Sequence, residues 1–319
     1  MAAELRVALI GAGRMGANHA RVLAGMAGAR LVGIHDRSAD RAATLAGSHG
    51  CAVLRSLDEV RGAADAAIVA VSSSAHAEIG MRLLADGVPC LIEKPLAIDE
   101  AQCRALIAAA TKAAVPLAVG HVERFNPAVA VAIRALEGER ILALEARRLN
   151  PGSARIQDTD VVIDLMVHDI DTVGLLMRAD PVDVGAQGMA LGEAGLADHA
   201  AALLAYPGGA VASLVASRLA QMRVRTLTAF CAQRTVILDY LSQTVAVARE
   251  GAEAPEPLPV EKAAPLEREL AGFLAAIRTQ RDADIVGPEE ALRGLAIAWE
   301  IQRQLAANFP VPAIAAPRR

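Results

Sequence analysis

The apolar run LRVALI (5–10) leads directly into Gly11-Ala12-Gly13-Arg14-Met15-Gly16, and an Ala-rich helical stretch follows from about Arg14 to Ala27. A second apolar run, LVGIHD (31–36), ends on Asp36, twenty residues beyond Gly16. Strand, spaced glycines, helix and acid in that order constrain the chain more than any other feature, because they describe a βαβ unit whose first turn cradles a dinucleotide pyrophosphate. Gly11 permits the tight turn, Gly13 lets the backbone approach the phosphates at the helix N-terminus, and Gly16 allows close helix–strand packing. Arg14 and Met15 complete the loop. Asp36 would accept hydrogen bonds from the adenosine ribose and repel a 2′-phosphate, which favours NAD. Arg37 beside it would hold that phosphate if Asp36 turned away, the arrangement that NADP requires.

Beyond Asp36 the alternation continues. DRAATLAGSHG (40–50) reads as a helix with a Gly stop, AAIVAVS (66–72) as a strand, His76 to Asp86 as a helix, PCLIEK (89–94) as a strand, Asp99 to Ala113 as a helix and VPLAVGH (115–121) as a strand. Continuously apolar strands separated by helices imply a doubly wound parallel sheet covered on both faces. After about residue 122 the pattern changes to a helix over 127–137, a strand over 140–149, a loop and a long helix from about Asp160 to Met177. From Val182 to Arg249 strand-like runs joined by short turns such as YPGG give antiparallel signals. A Pro-rich connection (251–265) and two helices, about 266–280 and 288–307, close the chain. The expectation is an N-terminal Rossmann domain over 1–121 and a second α/β domain over 122–319 with an open, mostly antiparallel sheet, the C-terminal helix being able to pack back on the first domain.

With 36 acidic against 32 basic residues and a net charge of −4, nothing suggests nucleic acid or an anionic membrane as partner. No stretch reaches the length of a charge-free membrane span. The four cysteines (Cys51, Cys90, Cys103, Cys231) lack metal-ligand spacing, so no metal is expected and they read as reduced residues of a cytoplasmic protein. Only Lys94, Lys112 and Lys262 are lysines, and Lys94 stands at a strand end before Pro95.

Asp160, Asp164, His168 and Asp171 are spaced by four, four and three, which would align them on one helix face, among the apolar Val161, Val162, Ile163, Leu165, Met166, Val167 and Ile170. His121, Glu123, Arg124 and Asn126 lie where the chain leaves the first domain, with Arg124 and Asn126 as candidate substrate contacts. Arg147, Arg148 and Arg155, in RRLNPGSAR, are expected in a loop after a broken strand, where they would favour a phosphate-bearing substrate.

Glu93-Lys94-Pro95-Leu96-Ala97, together with GAGRMG, SSSAHAEIG, GHVERFNPAV and Asp164-x-x-x-His168 in VVIDLMVHDID, resembles the Gfo/Idh/MocA family of sugar and polyol oxidoreductases over essentially the whole chain. The wording of the last two segments is similar to the subgroup that acts on C3 of UDP-N-acetylglucosamine. The resemblance implies that substrate lies between the two domains. It also implies that Ser72, Ser73 and His76, with Glu93 and Lys94, belong to the cofactor site, and that Lys94, Asp164 and His168 are the catalytic set. Histidine titrates near working pH, so His168 would take the hydroxyl proton, with Asp164 fixing its tautomer and Lys94 stabilising the alkoxide. Arg124, Asn126 and Arg155 would help bind substrate. The rival expectations are a free polyol or inositol dehydrogenase and a non-catalytic NAD-binding metabolite sensor. The apolar strands HAAALLAY and AVASLVAS further suggest a homodimer or homotetramer formed through the second sheet.

Overall fold

A computed structural model describes residues 4–151, 159–191, 195–279 and 285–308. The chain divides into two compact units, one of residues 1–122 with 264–292, the other of 123–263 with 293–319.

The first unit runs β1 (Leu5–Ile10), α1 (Arg14–Gly25), β2 (Ala29–His35), α2 (Ala39–His49), β3 (Ala52–Val53), α3 (Val60–Ala63), β4 (Ala66–Val69), α4 (His76–Ala85), β5 (Cys90–Glu93), α5 (Glu100–Ala113) and β6 (Leu117–Gly120). Its strands pair in parallel in the order β3, β2, β1, β4, β5, β6. The order reverses between β1 and β4, and loops at the carboxyl ends of strands beside such a switch point form the ligand crevice of doubly wound sheets. β1, β4, β5 and β6 are buried at nearly every position, as a sheet covered by helices on both faces requires. Two helices carry side-chain caps at their starts: the Ser38 hydroxyl accepts from Arg41 N and the Asp99 carboxylate from Gln102 N.

The second unit holds α6 (Pro127–Ala135), β7 (Ile141–Pro151), α7 (Val167–Met177), β8 (Asp183–Met189), β9 (His199–Ala205), β10 (Val211–Ala220), β11 (Val224–Cys231), β12 (Arg234–Asp239), β13 (Thr244–Arg249) and β14 (Glu256–Leu258). Its sheet runs β14, β13, β12, β11, β7, β10, β9, β8, antiparallel except for the β7–β10 pair. Inward side chains such as Leu144, Ala146, Leu204, Leu214, Leu227, Ala229 and Val236 form one core with α6 and α7. The opposite sheet face carries exposed Met189, Leu203, Val211 and Leu219.

The chain closes with α8 (Pro265–Thr279) and α9 (Pro288–Asn308). The expected boundary differs here, because 264–292 belong to the first unit. The reason is packing: Leu270, Phe273 and Leu274 of α8 are buried with Leu23 of α1 and Leu31 of β2. The penultimate helix makes the return, together with the first turn of α9, residues 288–292. None of the described helices is long and apolar enough to cross a membrane. The cysteines are free thiols, two buried and two half-buried.

Candidate active site

In the first unit, the residues expected at the cofactor site gather at the carboxyl ends of β1, β2, β4 and β5. Gly11 has φ +107°, and a Cβ there would lie 2.3 Å from the Ala70 carbonyl oxygen at the end of β4. A Cβ on Gly16 would come within 1.9 Å of the Gly11 carbonyl, so α1 approaches the loop as closely as backbone allows. Gly13 differs from both. It is the N-cap of α1 without a side-chain cap, the first turn carries no acid, and nothing lies within 4 Å of a Cβ there. Uncapped amide N–H groups at an open helix N-terminus suit an anionic pyrophosphate. Arg14 is exposed at the first position of α1, and Met15 behind it is half-buried.

Asp36 sits just past β2 with its carboxylate held by the chain itself. Oδ2 accepts from Ala12 N and Oδ1 from Ser38 N, both at 2.7 Å, and Arg41 Nη2 lies 2.9 Å from Oδ1. Burial would raise its pKa, but the two backbone donors and Arg41 outweigh burial and hold it below the usual carboxylate value. The carboxylate is therefore ionised at neutral pH and fixed towards the glycine loop. Arg37 is exposed beside it. Arg41 was not anticipated; it lies one helical turn into α2, and an i, i+5 spacing from an acid outside the helix gives no periodic signal.

After β4, Ser72 stands at the N-cap position of a short 3₁₀ turn formed by Ser73 to Ala75, without a side-chain capping bond. His76 follows, buried, with Nδ1 2.7 Å from the Pro95 carbonyl, so Nδ1 carries the proton. Burial pushes its pKa down despite that bond, which leaves the ring neutral. This contact ties the β4 loop to the segment after Lys94. Lys94 itself is half-buried directly after β5, and the Lys94–Pro95 peptide is cis. Glu93, the last residue of β5, bonds through Oε1 to His19 Nε2 at 2.8 Å, and both residues are buried. His19, which shows no partner in sequence, thus anchors α1 to the strand that leads into Lys94.

In the second unit the helix expected from Asp160 contains a π turn over Val162–Met166 before α7 begins. The extra residue in that turn rotates the following helix, so the four polar residues do not form one stripe. Asp160 caps the turn, accepting from Val162 N and Ile163 N at 3.0 Å and from Gln302 at 2.7 Å. Asp171 is buried and takes Arg124 through two bonds, 2.5 and 3.1 Å. Between Val161 and Val173 only Ile163, Asp164 and His168 escape full burial. Asp164 and His168 therefore remain as the helix's half-exposed polar pair, and π turns recur at functional sites.

Asn126 is committed to structure: its side chain caps α6 at Ala128 N (3.1 Å) and donates to the Tyr240 carbonyl (3.1 Å), with 2% of the residue exposed. Arg155 lies outside the described residues. The expected loop around Arg147 and Arg148 is instead strand, since β7 runs to Pro151. Strand alternation turns Arg147 out and Arg148 in, in phase with Leu144 and Ala146. Arg148 is 1% exposed and binds Asp169 (2.8 and 3.1 Å) and Glu123 (2.8 Å), with Arg225 also on Glu123 (3.0 Å) and the Tyr240 ring 5.1 Å away. Burial opposes ionisation of Glu123, yet Arg148 and Arg225 overcome it and lower its pKa. Arg148 is thus a buried counter-ion rather than a phosphate contact. Asp169, which falls outside the sequence stripe, is the residue that the spacing argument missed.

Residues 5–121 match the oxidoreductase family with NAD-binding Rossmann fold, and 140–237 match the Gfo/Idh/MocA C-terminal domain. Over 286 residues the chain is 35% identical to UDP-N-acetylglucosamine 3-dehydrogenase of Acidithiobacillus ferrooxidans, covering 87% of this chain and 90% of that protein. The chain belongs to the Gfo/Idh/MocA oxidoreductases. A solved structure of the same Acidithiobacillus enzyme superposes with a TM-score of 0.89 at 33% identity, covering 96% of this chain and 99% of that one. Inositol 2-dehydrogenase of Rhizobium meliloti is 30% identical over 230 residues, 68% of this chain and 69% of that protein. As a Gfo/Idh/MocA member with an intact glycine loop, the protein is a nicotinamide-dependent oxidoreductase acting on CH–OH groups.

Proposed function

We propose that this Gfo/Idh/MocA protein is an NAD-dependent dehydrogenase that oxidises a secondary alcohol of a sugar, with C3 of a UDP-linked amino sugar such as UDP-N-acetylglucosamine as the preferred substrate. The observation that carries the reading is the half-exposed Asp164–His168 pair on an otherwise buried helix, in a chain aligned along 87% of its length with a UDP-N-acetylglucosamine 3-dehydrogenase. Bound NAD supplies the hydride acceptor. His168 removes the hydroxyl proton, Asp164 one turn earlier orients the imidazole and stabilises its protonated form, and Lys94 donates to the alcohol oxygen as negative charge develops. Assigning the three to one substrate rests on their match to the family's lysine, aspartate and histidine. Arg124, already paired with Asp171, is assigned to holding α7 rather than to substrate. The deciding experiment measures NADH formation from UDP-N-acetylglucosamine, free N-acetylglucosamine and myo-inositol. Turnover of the UDP-sugar well above the others supports the reading. Preference for myo-inositol would favour the inositol dehydrogenase reading, which has its own support in the Rhizobium relative.

The fixed, ionised Asp36 supports NAD as the cofactor. NAD should bind at least about tenfold more tightly than NADP, a difference of ~1.4 kcal/mol. Calorimetric titration of both decides it, and equal affinities would transfer control of the pocket to Arg37 and Arg41. The second unit's sheet supports a homo-oligomer. Its open face presents Leu203, Val211 and Leu219, and β7 adds exposed Glu145 and Arg147, opposite charges that a two-fold axis could pair between copies. Sedimentation should find a dimer or tetramer at micromolar concentration. A monomer alone would remove this assignment.

A further inference from the structure

Arg218 on β10 takes part in nothing derived so far, although it is only 8% exposed. It points inward, in phase with Leu214 and Ala216, towards the side of the sheet that α7 covers. Its guanidinium donates to the Thr159 carbonyl, immediately before the site helix, and Nη2 stands 3.8 Å from Asp164 Oδ2. Nη1 lies 3.9 Å from Asp198 Oδ1, and the Arg218 backbone N–H donates to the Asp198 carbonyl at 2.8 Å. An arginine with most of its surface buried has thus been placed against the carboxylate one turn before His168.

We infer that Arg218 is a positioning residue of this site: it holds the Asp164 carboxylate from β10 and sets the positive charge against which His168 accepts its proton. The inference rests on the proposed role of His168 as base. The other charged groups around the helix are already matched. Asp169 faces Arg148 of β7, Asp171 faces Arg124, Glu123 is shared by Arg148 and Arg225 of β11, and Asp160 is bound by Gln302 of α9. Asp198, before β9, faces Arg218 and accepts from Leu191 N at 2.8 Å. The Asp164–Arg218 contact is too long for a strong hydrogen bond and acts as a charge contact. Arg218 thereby offsets part of the negative charge of Asp164, one turn before His168. A nearby cation disfavours the imidazolium, so His168 is kept deprotonated to lower pH than Asp164 alone would allow. A base held in its proton-accepting form near neutrality is what alcohol oxidation needs.

The test is a pH titration of the His168 imidazole resonance by NMR in the full-length protein, with His168→Gln to assign it. Arg218→Gln should raise the titration midpoint by at least about half a pH unit, and Arg218→Lys should restore most of the difference. An unchanged or lowered midpoint in Arg218→Gln overturns the inference. Should that variant fail to fold, Asp198→Asn carries the test: it leaves Arg218 in place, keeps an acceptor for Leu191 N and removes a competing negative charge. The midpoint should then fall, and a constant or raised one overturns the inference. The acidic limb of kcat/KM for UDP-N-acetylglucosamine should move with the resonance. A limb that stays in place while the resonance shifts removes His168 as base and leaves the charge contact of Arg218 standing.

Discussion

Lys94→Ala and His168→Ala should each lower kcat by about 10²–10⁴ while NAD affinity stays within a few-fold of wild type. His168 is assigned to the substrate hydroxyl and belongs to the second unit, whereas the glycine loop and Asp36 belong to the first. Lys94 follows β5 in the first unit, yet the groups fitted to pyrophosphate and ribose are Gly13 and Asp36 at the ends of β1 and β2. Calorimetry with NAD, run beside single-turnover measurements, separates the two effects. Near-wild-type kcat in both variants would dismantle the active-site assignment. The effect on rate should also be non-additive, because a base and an electrostatic donor that serve one transition state act as a unit. A double variant is therefore expected to be little worse than the poorer single one.

Arg148→Met should destabilise the second unit by about 3–5 kcal/mol, since it leaves Asp169 buried without its bidentate partner and Glu123 with only Arg225. Burial already pushes the Asp169 carboxyl above its ordinary range against the pull of Arg148. Without Arg148 that carboxyl is held further above its unfolded value. The penalty is then largest where the unfolded carboxyl is ionised, and shrinks as falling pH protonates the folded one. The gap between variant and wild type should accordingly narrow on going from neutral to mildly acidic pH. The single Trp299 lies in the part of α9 that counts with the second unit, so its fluorescence follows this transition in denaturant. Arg148→Met combined with Asp169→Leu should recover much of the loss, because a buried ion pair replaced whole costs far less than one broken. A small, pH-independent effect of Arg148→Met would mean that the pair is solvated in solution.

Much of the first unit could be read directly. Gly11 and Gly16 are demanded by atoms only a few residues or one strand away, so their spacing in the chain states the turn, the close approach and the helix start together. Lys94 stands out as a candidate for a similar reason, as a scarce lysine at a strand end followed by proline. The second unit was legible in its elements and less so in its charges. A period-two reading of β7 would have turned Arg148 inward, but the Asn-Pro-Gly that follows suggested a loop there. The π turn at Val162–Met166 has no spacing signal and moves Asp171 from the expected stripe into a buried pair with Arg124.

What the sequence determined by itself is whatever depends on short-range sterics and periodicity: the βαβ start, the glycine loop, the alternation of strands and helices, and the candidates Asp36, Lys94, Asp164 and His168. What only the tertiary structure decided is which charges face one another. His19 meets Glu93 across 74 positions, Arg148 meets Asp169 across 21 and Glu123 across 25, and Arg218 of β10 reaches Asp164 with β8 and β9 between them in the chain. The cause is energetic. A charge in a chain costs little while water surrounds it, and only when folding removes the water must it find a counter-ion, wherever in the sequence packing happens to bring one.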